Sequence, residues 1–156
     1  MKRHFNKEAP KVFIASIILT CLFWASLAFA KGEKFDKSMQ PVFEEYLKIW
    51  EALAADKTIG VSEAAKKIVE LSKKIVVEDI EDAHKEHLKS LPEKLKKHAN
   101  KLSLQSDIET MRKELVELSK PMAMWATMLK RTEINVIYCS MKPGSWLQKD
   151  KSIRNP

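Results

Sequence analysis

Apolar residues recur every three or four positions along most of the chain, which is the spacing of one buried face of an α-helix. Four segments show this pattern, at about residues 43–54, 62–75, 78–102 and 107–129. Beyond them the pattern changes, because Ile134, Val136, Ile137 and Tyr138 are β-branched or aromatic and favour a short extended segment. The pattern therefore predicts an all-α protein, an up-and-down bundle of about four helices with a short extended C-terminal segment.

Helix boundaries are indicated by capping residues and prolines. We expect Ser38 to cap the first helix, with Pro41 in its first turn, and Ser106 or Asp107 to cap the fourth. Pro92 is expected to interrupt or kink the third segment, since proline lacks a backbone N–H. The 156 residues give room for one domain, with a bundle over 31–131 and an extended segment of the same domain over 132–156.

The first thirty residues are typical of an export segment. A basic start is followed by an uncharged run from Val12 to Ala30 that ends in Ala28-Phe29-Ala30, and we expect cleavage before Lys31. The alternative is an uncleaved anchor, because the run is also long enough to span a bilayer. Both interpretations place the rest of the chain outside the cytoplasm, in the periplasm, and limit membrane contact to this segment.

Charge and motifs exclude several classes of function. The chain carries 28 Lys and Arg against 21 Asp and Glu, and the first thirty residues hold four of the former and one of the latter. The remainder therefore has a net charge of +4, interspersed as on a solvated helical surface, which does not support nucleic-acid binding. The sequence contains no nucleophile elbow, phosphate-binding glycine loop or HExxH motif, so we expect no enzymatic activity.

The candidate chemistry lies in the sulfur atoms near the C-terminal end of the sequence. Cys139 is the only cysteine beyond the leader, which contains Cys21. If the leader is removed, Cys139 is a metal ligand, an intermolecular partner, a buried apolar residue or the survivor of a lost pair. Met141 follows two residues later, and residues i and i+2 of an extended strand share a face. A thiolate and a thioether are soft donors that favour Cu(I) over Ca²⁺, Mg²⁺ or Zn²⁺.

Other side chains could add to such a site. Pro143-Gly144 is expected to turn the chain back so that Trp146 covers the sulfur pair. Met124 and Met128 share a helical face, and one of them could complete a three-sulfur Cu(I) site, although methionines at this spacing also fill cores. The histidines His84 and His87 share a face of the third helix, but their charged neighbours favour a solvated surface.

Three stretches carry a resemblance to a known family. They are RKELVELSKPM from Arg112 to Met122, YCSM from Tyr138 to Met141, and WLQKDKSIRNP from Trp146 to Pro156. Together they resemble a helical periplasmic domain of unknown function that occurs alone or attached to adaptor subunits of copper/silver efflux systems. The EYLKIWEALAADK run of the first helix is similar to the opening of that domain, so the resemblance covers about residues 35–156.

The resemblance implies a heavy-metal accessory protein. The Cys and Met of the family's CPM motif fall on Cys139 and Met141, with Ser140 in place of the proline. The implied ligand is Cu(I) or Ag(I), and the implied partners are components of heavy-metal efflux adaptors or transporters. Related chains continue past IRNP to a second cysteine, so we also expect a C-terminal truncation and, with it, an incomplete site. The alternative function is a helical interaction module without metal that docks on a periplasmic or membrane partner.

Overall fold

Five helices and one β-hairpin follow each other in the computed structural model, which describes residues 32–80, 82–141 and 144–156, without the side chains of residues 82 and 83. The predicted leader, Cys21 and the predicted cleavage site lie outside these residues. The helices are α1 (Glu33–Ala54), α2 (Val61–Ser72), α3 (Asp82–Leu88), α4 (Leu91–Ser103) and α5 (Ile108–Met128), and the strands are β1 (Asn135–Cys139) and β2 (Gly144–Gln148). The helices and the hairpin belong to one compact unit, Lys31–Pro156.

Contacts between helix ends show that α1 and α5 run antiparallel. Near the start of α5, Arg112 donates to the carbonyl oxygen of Leu53 at the end of α1, at 2.9 Å. Near the end of α5, the indole N–H of Trp125 donates to Asp36 near the start of α1, at 3.0 Å. Both α1 and α4 pack against α2 and α5, which closes the bundle. The predicted all-α up-and-down bundle with a short extended C-terminal segment is confirmed.

The prediction for the start of α1 is wrong. The helix begins at Glu33, so Ser38 and Pro41 lie inside it. Its N-terminal N–H groups are satisfied from the α2–α3 connection, where the carboxylate of Asp79 accepts from the backbone N–H of Lys34 at 2.7 Å and of Phe35 at 3.0 Å. Asp79, which lies far along the chain, therefore accepts the hydrogen bonds that an N-cap side chain usually accepts. The hydroxyl of Ser38 instead accepts from the N–H of Val76 at 3.2 Å.

Two other predicted boundaries are confirmed. The third segment is interrupted before Pro92 and forms α3 and α4, with Pro92 in the first turn of α4, where its missing N–H costs nothing. Asp107 caps α5, because its carboxylate accepts from the backbone N–H of Thr110 at 2.9 Å. Within the described ranges, no helix has both the length and the apolar character needed to cross a membrane.

The extended segment is a hairpin rather than one strand. The strands β1 and β2 pair antiparallel over five consecutive positions, with Ile137 opposite Trp146 and Cys139 opposite Gly144. The chain therefore turns back between Cys139 and Gly144, and Gly144, which was predicted to lie in the turn, is the first residue of β2, whereas Pro143 lies outside the described residues. The inner strand is β2, which packs against α5 and α1, and this leaves β1 on the outside of the hairpin.

Candidate functional site

Cys139 is the last residue of β1 and its side chain points inward. Residues 135, 137 and 139 are half-buried, whereas Val136 and Tyr138 between them are exposed, as expected where one face of a hairpin rests on a bundle. The thiol-bearing Cys139 packs against the edge of the core with Ile137. The hairpin therefore positions this sulfur at the boundary between core and solvent.

A groove of about 570 Å³ opens beside Cys139. Its wall on one side is the first half of α5, including the charged Arg112 and Lys113, and on the other side are Gly144 and Trp146 of β2. The side chain of Trp146 is 5% exposed and lines this groove together with Cys139, whereas Met141 is 90% exposed, so Trp146 does not cover both sulfurs as predicted. We name this the Cys139 groove, and its lining residues are Glu109, Arg112, Lys113, Leu115, Val116, Glu117, Cys139, Gly144, Ser145, Trp146, Asn155 and Pro156.

Met141 lies just beyond the strand, in the turn of the hairpin. Because β1 ends at Cys139, strand geometry does not set the direction of the Met141 side chain, and the argument that both sulfurs share one face of a strand does not apply. Met141 is instead 90% exposed. A thioether two residues from the groove therefore stands in solvent, on the outside of the bundle. That Cys139 and Met141 bind a metal ion together stays a prediction.

The structure does not bring Met124 or Met128 to the Cys139 groove. Both are half-buried on α5, after the stretch from Glu109 to Glu117 that lines the groove. At 1.5 Å per residue, Met124 lies about 10 Å along the helix from Glu117. Met128 lines a different cavity, of about 260 Å³, near the start of α1. A three-sulfur site with Cys139 therefore finds no geometric support in these positions.

The histidines also lie away from Cys139. His84 is half-buried and lines the same cavity as Met128, whereas His87 is exposed. Across residues 32–80, 82–141 and 144–156, no three His, Cys, Asp or Glu side chains form a group that could hold a metal ion. Cys139 and Met141 are thus the remaining donors for the predicted soft-metal site.

A buried hydrogen-bond chain, which the sequence pattern did not reveal, fixes the hairpin to the bundle. The N–H of Leu147 in β2 donates to the hydroxyl of Tyr46 at 3.0 Å. That hydroxyl lies 2.7 Å from the oxygen of Ser119, whose own hydroxyl donates to the carbonyl of Leu115 at 2.7 Å. Burial raises the pKa of Tyr46 to about 12, so the phenol is neutral at ordinary pH. The chain joins β2, α1 and α5.

A second polar residue organises the segment that follows β2. Gln148 is fully buried, and its amide donates to the carbonyl oxygens of Asp150 at 2.6 Å and Ser152 at 2.8 Å. Its side-chain oxygen accepts from the indole N–H of Trp146 at 3.0 Å. The guanidinium of Arg154 then lies over the ring of Trp50, 4.6 Å from its centre. The groove wall that contains Asn155 and Pro156 is held in place by these contacts.

Comparison with known proteins identifies the bundle. Residues 42–133 match the model of a family described as a protein of unknown function (DUF3347). The match covers more than half of the chain, from within α1 to the residues after α5. The chain belongs to the DUF3347 family. Both strands of the hairpin, and with them Cys139 and Met141, lie outside the matched residues of this family.

The other two comparisons give no relatives. No curated protein and no solved structure matches the chain.

Proposed function

We propose that this DUF3347 protein binds Cu(I) or Ag(I) outside the cytoplasm through Cys139 and Met141, as an accessory protein of heavy-metal efflux and not as a catalyst. The observation that carries the proposal is the position of the two sulfurs on the hairpin. Cys139 is half-buried beside an open groove, and Met141 is exposed two residues later. Soft sulfur donors of this kind select Cu(I).

The surroundings of the sulfurs support a carrier. The hairpin is fixed to the bundle by the bond from Leu147 to Tyr46, so the base of the site is held in position. The Cys139 groove gives a ligand from another molecule a route to the thiol. The exposed thioether of Met141 can bind to the metal or dissociate from it without disturbing the core. An accessory protein that receives metal and passes it to an efflux adaptor needs this kind of access.

Replacing Cys139 by serine is expected to abolish high-affinity Cu(I) binding, because the hydroxyl is not a soft donor. The measurement is competition with a chromophoric Cu(I) chelator under anaerobic conditions. The matched control is Cys21→Ser, which removes the other cysteine and is expected to leave the affinity unchanged. Equal affinities of Cys139→Ser and the parent chain would show that the proposal is wrong.

The second candidate is a metal-free interaction module that docks on a periplasmic or membrane partner. It is favoured by the exposed apolar side chains of the hairpin, where Val136 is 42% and Tyr138 is 68% exposed. Large apolar side chains grouped on one surface are typical of contact sites. In this case Cys139 is a packing residue whose reactivity does not depend on metal.

Thiol labelling separates the two candidates. With a Cys21→Ser background, we expect Cys139 to react with a maleimide without denaturant, because it lines an open groove, and we expect Cu(I) to slow that reaction. Zn²⁺ at the same concentration is the control ion and is expected to protect less. Labelling that needs denaturant, or that is unaffected by Cu(I), would favour the metal-free module.

A further inference from the structure

Residues 153–156 form part of the wall of the Cys139 groove, and we name them the strap. Asn155 and Pro156 of the strap line the groove, and the thiol-bearing Cys139 belongs to the same lining. The position of the strap therefore sets how wide the groove is beside the thiol. Movement of this wall would change which molecules reach Cys139.

One side chain joins the strap to the helices. In the described part of the chain, the only hydrogen bond, ion pair or ring contact between the strap and a helix is the guanidinium of Arg154 over the ring of Trp50, at 4.6 Å from its centre. The ion pair of Arg154 with Asp150, at 3.2 Å, stays within the segment that follows β2. The backbone N–H of Arg154 donates to the side-chain oxygen of Gln148 at 3.4 Å, which is a long bond. Arg154 is therefore the latch of the strap.

The residues before the strap are held more firmly. The amide of Gln148 donates to the carbonyl oxygens of Asp150 and Ser152, and the amide of Asn135 in β1 donates to those of Lys149 and Asp150, at 3.2 Å each. These bonds end at Ser152. The backbone beyond it can therefore change direction without breaking any of them.

The strap also gains little from burial. The side chain of Ile153 is 65% exposed, and residues 153–155 all belong to the exposed class. An apolar side chain in water adds no hydrophobic stabilisation to the position of its backbone. Segments with few buried apolar contacts open locally while the rest of the protein stays folded.

We infer that the strap opens and closes the Cys139 groove, with the guanidinium of Arg154 on Trp50 as its latch. This inference rests on the proposed function, because it concerns access to the proposed metal ligand. In the closed position Asn155 and Pro156 restrict the route to the thiol. Release of Arg154 frees both residues, and a partner that donates or accepts metal then reaches Cys139 through a wider groove.

The test is the rate of thiol labelling without metal, in a Cys21→Ser background. Arg154→Ala is expected to speed the reaction of Cys139 with a bulky fluorescein maleimide by about two- to fivefold, the change in open population expected from loss of an exposed cation–π contact. Iodoacetamide is smaller, so its rate is expected to change less. Since Arg154 does not line the groove, its effect must pass through the strap.

Two further variants support the assignment of the latch. Lys151→Ala is the matched control, because Lys151 is an exposed cation of the same segment with no hydrogen bond, ion pair or ring contact among the described residues. It is expected to leave the labelling rate unchanged. Arg154→Lys keeps a cation that can lie over an indole and is expected to restore part of the slower labelling.

Footprinting with hydroxyl radicals separates opening of the strap from loosening of the whole bundle. Trp50 is 2% exposed beneath Arg154, whereas Trp125 is fully buried and covered by Arg131. Oxidation of Trp50 is expected to rise in Arg154→Ala, and oxidation of Trp125 is expected to stay low. An equal rise at both indoles would show that the bundle loosens as a whole and would overturn the inference.

The outcomes also separate the strap from the proposed function. Equal labelling rates of Arg154→Ala and Lys151→Ala overturn the strap and leave Cu(I) binding intact, because labelling is measured without metal. A chain that binds no Cu(I) but shows the expected difference in labelling supports the strap and overturns the proposed function.

Discussion

Replacing Trp125 by alanine is expected to lower the free energy of unfolding by about 3–5 kcal/mol, the range for loss of a large buried aromatic side chain. Trp125 is fully buried on α5, and its ring centre lies 5.6 Å from that of Phe43 on α1. The guanidinium of Arg131 covers the indole at 5.2 Å. The substitution therefore removes an aromatic contact, a cation–π contact and much of the packing between α1 and α5.

The hydrogen bond of the indole can be separated from its packing. Trp125 donates to Asp36 at 3.0 Å, whereas the indole nitrogen of Trp50 is buried with no hydrogen-bond partner among the described residues. Trp125→Phe is expected to cost about 1.5–3 kcal/mol from the lost bond to a carboxylate. Trp50→Phe is the matched control, because a guanidinium lies over each of the two indoles and only the indole of Trp125 has a hydrogen bond to lose. Chemical denaturation followed by far-ultraviolet circular dichroism measures both, and a larger cost at Trp50 would contradict the importance of the Asp36 bond.

The bundle was predictable because the sequence signals that define each helix lie within that helix or at its ends. Apolar spacing identifies each buried helix face, and Pro92 and Asp107 act within one turn of their own position. The start of α1 was not predictable in this way. Its N-terminal N–H groups are satisfied by Asp79, more than forty residues away, and nothing near Glu33 signals that partner. Helix ends that depend on distant residues escape a local pattern.

In the candidate site, too, the features that depend on residue type or local sequence were predictable, and those that depend on distant contacts were not. The soft-donor chemistry of Cys139 and Met141 follows from residue type alone, and the reversal of the chain direction after Cys139 was also predicted. The orientation of Met141 was not, because the co-facial argument needs a strand that continues past Cys139. The inner strand β2 was missed as well, since Gln148 is polar yet fully buried. Its burial is tolerated because Trp146, Asp150 and Ser152 satisfy its amide.

Removal of the Tyr46 hydroxyl is the other change expected to have a large effect on the free energy of unfolding. Tyr46→Phe leaves the buried N–H of Leu147 without an acceptor and removes the partner of the Ser119 oxygen. An unsatisfied buried group costs about 1–3 kcal/mol, so the free energy of unfolding is expected to fall by that amount. Tyr138→Phe, which removes an exposed hydroxyl of the same type, is expected to change stability little.

The pH dependence of stability gives a second measurement of Tyr46. Burial raises its pKa from 10.0 to about 12, so its neutral form stabilises the folded state fully below pH 10, and this contribution is lost as the pH rises to about 12. Tyr46→Phe lacks this titration and is expected to lose less stability between pH 10 and 12 than the parent chain does. A comparison of urea midpoints across that range tests this, and parallel losses in both proteins would show that burial does not raise the pKa of Tyr46. Because the same hydroxyl fixes β2, and β2 carries the inner wall of the Cys139 groove, Tyr46→Phe is also expected to speed maleimide labelling of Cys139.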